Sequence, residues 1–420
     1  MLFLIKKGSA MSNKTRMSLV AIAISSAISF SAVAGDNNQI TVNQENAAAS
    51  TNEGQSVLAL QFGSNNQSSI EQIGDNQETN VVQDGNANES SVESRNYGNY
   101  QDINQSGDSN RNNVRVTGDS NNNSVAQSGT SNSSYHTTRG DLNVNFVTQD
   151  GQYNGSYYYF NGDENRHTLE QTGTGNYSDF YSFQEANRNE ANISQNGEYN
   201  NSHIHYVNFD DNTFNLDQDG RSNSSYIEGT VGHTNSFSVT QIDNRNTSRL
   251  QDVNGSNNDI SVYQDGDRNN VGGDDLASFN GDGNVVSITQ YGVTNRTDMT
   301  VTGDTNTVSL TQDGDSHYAR INTSGNDNTV DASQAGDINM IDILTTGDSN
   351  SIELAQSGSS NDISGIEDVN DEFQLTGSDN IINISQTGDL NSVTGSSTGS
   401  VNSINVTQAG TSNSAVVTQN

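Results

Sequence analysis

The sequence has 420 residues and contains no cysteine, no proline and no tryptophan. Without cysteine it can form no disulfide, ligate no iron–sulfur cluster or thiolate-bound zinc, and use no thiol nucleophile. Without proline, the peptide groups keep their N–H donors throughout, as expected of a chain committed to hydrogen-bonded ladders. Apolar residues make up only 29% of the chain and aromatics 6%, against roughly 45–50% apolar in an ordinary globular domain. Such a composition predicts either disorder or a thin, partly polar core. Basic residues are scarce as well: Lys+Arg 16 against Asp+Glu 51 gives a net charge of -35. That excludes a surface for nucleic acid or for an anionic membrane.

The basic residues that do occur are unevenly placed. Lys14 and Arg16 precede an apolar run over 17–30, which is followed by Ala32-Val33-Ala34. A charged start, an apolar stretch and an A-x-A site predict a signal peptide over 1–34, starting at Met11 and cleaved after Ala34. The run is broken by Ser25, Ser26 and Ser29 and is shorter than the roughly 18–20 residues of a membrane anchor. Its removal takes every lysine with it and leaves arginine as the only base besides histidine. Residues 35–55 form a short segment rich in Asn and Gln.

From residue 56 to 420 the sequence repeats. Glycines recur eleven apart from Gly63, with Asn96 filling one slot, and again through Gly292, Gly303, Gly314, Gly325, Gly336, Gly347 and Gly358, then Gly377, Gly388, Gly399 and Gly410. Asn is the best substitute for Gly in a left-handed conformation, so the slot requires positive φ and marks a turn. Between turns the residues alternate. In 306–312, Asn306, Val308, Leu310 and Gln312 share one face while Thr307, Ser309 and Thr311 share the other, the period of two of a β-strand. The same phase places Asn284, Asn328, Asn350, Asn380 and Asn402 inward.

A second period lies over the first. Gln closes every other strand, at Gln105, Gln127, Gln149, Gln171, Gln195, Gln218, Gln241, Gln264, Gln290, Gln312, Gln334, Gln356, Gln386 and Gln408. Residues such as Val116, Thr138, Phe160, Val301 and Leu375 close the strands between. The unit is therefore a strand–turn–strand spanning two glycine periods, as from Gln105 to Gln127. Stacking such units gives an all-β, flat two-sheet β-solenoid with a Gln ladder in one sheet, a cross-β arrangement of the amyloid type. Where the spacing lengthens, between Gly173 and Gln195, Gly266 and Gly281, and Gly358 and Gly377, the extra residues are expected to bulge from corners.

The Q-x-G-x-x-N motif, paired over two glycine periods from about Ser56 to Asn420, resembles the curlin repeat of the curli amyloid subunits of Gram-negative biofilms. The resemblance implies secretion through the periplasm, passage of a segment such as 35–55 through a dedicated outer-membrane pore, a nucleator subunit as partner, and polymerisation with copies of itself into extracellular fibres that serve biofilm and cell adhesion. The sequence departs from the family pattern in two ways: Asn306, Asn284 and Asn350 stand where the family has Ser, and half of the Gln slots hold Val, Thr, Phe or Leu.

Other chemistry is thin. No nucleophile, base and orienting group occur at a recognisable spacing, so no enzyme and no cofactor are expected. Gly272-Gly273-Asp274-Asp275 faintly echoes a calcium β-roll, but that fold has a nonapeptide repeat. His203-x-His205 points two imidazoles to one side of a strand, and without a third ligand no metal site is assigned. Tyr157, Tyr158 and Tyr159 read as strand residues. Asp follows the turn glycine at Asp75, Asp108, Asp119, Asp141, Asp163, Asp304, Asp315, Asp337, Asp348 and Asp389, either because Asp suits turns or as columns of like charge that delay polymerisation. The competing function is a monomeric β-solenoid adhesin whose flat face binds ice, glycan or another surface.

Overall fold

The computed structural model describes residues 19–22, 27–33, 37–45, 54–182, 186–273, 277–365 and 372–420. Among them there is no helix, and nearly every segment is a strand of four to nine residues. All pairings are parallel. Each strand pairs with the strand one full coil later, so that Thr307–Asp315 lies between Val285–Val293 and Thr329–Asp337, and Tyr318–Ser324 between Arg296–Thr302 and Met340–Thr346. Two sheets thus face each other across one thin interior, joined at every half coil by a corner.

The alternation in the sequence sets the interior. Val308, Leu310 and Gln312 are buried on one side, and Ala319, Ile321 and Thr323 on the other. Thr307, Ser309 and Thr311 face outward. Two apolar side chains per strand bury too little to offset the ordering of the backbone, so hydrogen bonds between stacked layers must contribute much of the stability. Strand bounds differ slightly from the sequence reading. In the Gln sheet most strands carry backbone pairing through and beyond the glycine, as in Gly292↔Gly314, while Asn306 sits at the corner just before its strand.

Two of the three long spacings are resolved differently from expectation, while the extra residues between Gly173 and Gln195 fall between Ser182 and Ala186, beside a corner and outside the described residues. The extra residues do not leave from corners near 272 and 366: they interrupt strands of the sheet opposite the Gln ladder. Asn270–Val271 and Ala277–Asn280 together occupy one strand position, as do Asp362–Ser364 and Phe373–Thr376. An insertion in mid-strand leaves both corners and the Gln column in register. A smaller device lengthens the neighbouring coils by a single residue, as between Gln195 and Gln218. A residue with positive φ stacks in consecutive layers at Tyr206, Gly229 and Asp252, a bulge repeated upward through the sheet.

Leu19–Ile22 and Ala27–Val33 pair with Gln39–Glu45 and Ser56–Ser64 as an initial layer. Both lie in the segment expected to be removed on export.

Candidate functional site

The feature repeated in every coil is the face that one layer turns to the next, and its corners explain the glycines. Gly303 has φ 111, and a Cβ there would stand 2.1 Å from the carbonyl oxygen of Gly325 in the next layer. The glycine is thus demanded twice, by conformation and by the close approach of the stacked backbone. Asn96, in a glycine slot, has φ 80. A second left-handed residue follows two positions after each glycine, at Thr305, Ser109, Leu142, Glu164 and Ile338 among others. Sequence reading missed it because ordinary, even β-branched, side chains fill it; exposed on the corner, they meet no steric obstacle beyond the backbone strain itself.

The glutamines form one unbroken column. From Gln105 through Gln127, Gln149, Gln171, Gln195, Gln218, Gln241, Gln264, Gln290, Gln312, Gln334, Gln356 and Gln386 to Gln408, each Nε2 donates to the Oε1 of the next at 2.7–3.0 Å. The column begins earlier than the sequence reading placed it, with Gln61 and Gln83. Each amide also reaches across the interior to a backbone carbonyl of the opposite sheet, as Gln105 to Glu89 at 2.9 Å and Gln312 to Arg296 at 3.1 Å. One side chain therefore ties three strands.

The asparagines do the same at the corners. Asn306 Oδ1 accepts from the backbone N–H of Asn328 at 3.0 Å, and Asn306 Nδ2 donates to the carbonyl of Gly325 at 2.8 Å. Asn284, Asn306, Asn328, Asn350 and Asn380 are all buried, whereas Asn402 is half-buried. A second Asn column, through Asn110, Asn132, Asn154 and Asn176, serves the opposite corner, and His317 stands in it between Asn295 and Asn339.

Most of the aspartates after the glycines are also ladder members, Asp75 being an exception. Asp141 Oδ1 accepts the backbone N–H of Asp119 at 2.6 Å, and Asp163 that of Asp141 at 2.7 Å. Asp108, Asp119, Asp304, Asp315, Asp348 and Asp389 cap the preceding layer likewise. Asn326 does the same for Asp304, so the position calls for an acceptor rather than a charge. Among the described residues no Asp column gathers three metal-ligand atoms, and Asp274 and Asp275 lie outside the described residues.

One stretch of the interior is polar. Gln101, Asn123, Asn145 and His167 fill, layer by layer, the inward position that Val286, Val308 and Val330 hold elsewhere, with His136 on the facing sheet. Burial pushes the His136 imidazole down to about 3 and holds His167 well below the usual histidine range, with His136 nearby adding to the effect.

With this geometry in place, comparison with known families gives a direct match. The curlin associated repeat is found at 210–242, 255–292, 281–314, 303–336 and 377–410. The chain carries five curlin repeats within residues 210–410. Curlin repeats build structural, non-enzymatic proteins. No curated protein matches the chain. In the structure the curlin coil is not confined to the matched stretches: Gln83 to Gln195 continue the same column with the same contacts. What the curlin layer can do chemically is offer amide donors, amide acceptors and backbone edges in a pattern that another identical layer satisfies.

Proposed function

We propose that this curlin-repeat chain is a secreted subunit that stacks on copies of itself, extending the solenoid into an extracellular amyloid fibre for biofilm matrix and cell adhesion. The observation that carries this reading is self-complementarity of the layer. Gln over Gln, Asn over Asn and Gly over Gly recur through the coils, so the upper face of one coil fits the lower face of another. The long edge of unpaired N–H and C=O groups that an open parallel sheet presents is a template for a further chain. The family supports a surface-fibre location, and the expected signal peptide over 1–34 and the segment 35–55 fit export through the periplasm and a curli-type outer-membrane pore, with a nucleator subunit to start growth.

A monomeric adhesin would need a regular outward array. The outward column instead runs Ser309, Asp331, Glu353 and Asn383, which presents no repeating ligand lattice.

The test is to follow the purified chain lacking 1–34 by thioflavin fluorescence, electron microscopy and fibre diffraction. Fibres with a meridional spacing of about 4.7–4.9 Å are expected. A species that stays strictly monomeric at high concentration would refute the proposal.

A further inference from the structure

We propose that Asp179, His203 and His205 form a binding site for a divalent transition-metal ion of the zinc and copper class. His203 and His205 alternate outward on Asn201–Val207, and Asp179 projects from the neighbouring strand Tyr177–Ser182, directly paired with His203. The three ligand atoms lie within 4.8 Å of one another. Asp179 Oδ1 is 2.6 Å from His203 Nδ1 and 2.9 Å from His205 Nε2.

Several features make this more than a surface ion pair. Asp179 is 9% exposed although it stands on the outer face of the sheet, and both partners of its carboxylate are imidazoles. The rings are held by aromatic neighbours: His203 stacks on Tyr226 at 4.6 Å and 14°, and Tyr181 meets His205 edge-on at 6.3 Å. Ligand atoms on a tetrahedral ion with bonds of about 2.0–2.1 Å stand about 3.3 Å apart, so the approaches of Asp179 to His203 and to His205 need lengthen by only about 0.7 and about 0.4 Å to admit one. Two imidazoles and a carboxylate match the donors of zinc and copper sites and not the all-oxygen shells of calcium or magnesium. Glu228 is paired with His205 from the following layer and lies outside the three-residue cluster.

The placement also gives the ion a task. The register between these two strands shifts at Tyr181/Ser182, and an ion held from both strands clamps the layers beside that break. The sequence reading assigned no metal because no third ligand was in sight. The ordinary coil spacing carried back from His203 reaches Tyr181, whereas this coil is longer and brings Asp179 beneath His203 instead.

The experiment is calorimetric titration of the chelator-treated full chain with zinc in excess magnesium, which occupies the weak carboxylate sites. One equivalent of zinc should bind and raise the thermal midpoint. His203→Gln and His205→Gln should each weaken binding by at least about tenfold, while His233→Gln, at an exposed corner, should leave it unchanged. Should either variant misfold, X-ray absorption of the zinc-loaded wild type decides: scattering from two imidazoles supports the site and an all-oxygen shell overturns it. Zinc binding that magnesium abolishes, or that both His variants retain at full strength, overturns it equally.

Discussion

At the scale of single residues, the buried histidines are where the structure is least comfortable. Neither ring nitrogen of His167 has a hydrogen-bond partner among the described residues, and Tyr158 packs against the ring at 3.8 Å. His136 keeps one bond, to Ser134 at 2.7 Å. Both imidazoles are neutral when folded, with pKa values below that of an unfolded histidine, about 6.5. The unfolded chain therefore binds more protons in mildly acid solution. Their contribution to stability is complete above about pH 6.5 and is lost as the pH falls below that, for His136 down to about 3, at up to about 1.4 kcal/mol per pH unit for each histidine. His167→Val, which installs the residue found in the same column at Val308, should raise the urea midpoint at pH 7.5 and reduce its fall between pH 7.5 and pH 5. An unaltered fall would show that His167 is not the acid-sensitive group. The sequence marked neither residue. Alternation fixes that a side chain points inward, and a histidine at an inward position reads like any other until burial and partners are known.

At the scale of the strand and its corner, most of the pattern was legible. Period-two alternation assigned the faces, the Gln phase named the column, and Asn96 revealed the conformation of the glycine slot. Three things were not. The second left-handed residue of each corner has no preferred type. The aspartates looked like turn formers or charged gates, and their bonds to the layer before them run between residues a full coil apart. Insertions such as that after Val271 interrupt a strand instead of lengthening a corner. The Gln column permits a direct prediction. Gln312→Ala removes the acceptor of Gln290 and the donor to Gln334, orphaning buried amide atoms at about 1–3 kcal/mol each. The outward Thr311→Ala on the same strand should stay within about 0.5 kcal/mol of wild type. Denaturant unfolding of the two variants side by side checks this, and equal stabilities would mean that the column contributes nothing beyond shape.

At the scale of the whole molecule, charge opposes what the layers favour. A net charge of -35 is spread along a solenoid whose like layers would have to meet in the proposed fibre. Exposed charges are screened over about 10 Å at 0.1 M salt and about 3 Å at 1 M, so adding about 0.5 M sodium chloride should shorten the lag before thioflavin fluorescence rises. A lag independent of salt would mean that the acidic residues serve only as corner acceptors, the role that Asn326 fills without charge.

The sequence by itself determined the strand faces, the corner glycines and the vertical column of glutamines, because these follow from periods of two, eleven and twice eleven that local stereochemistry imposes on the coils. The tertiary structure alone decided what meets across layers where the count departs from that period, as Asp179 meets His203, and where inserted residues leave the sheet. Backbone pairing between layers sets that register, and it is kept on either side of each insertion.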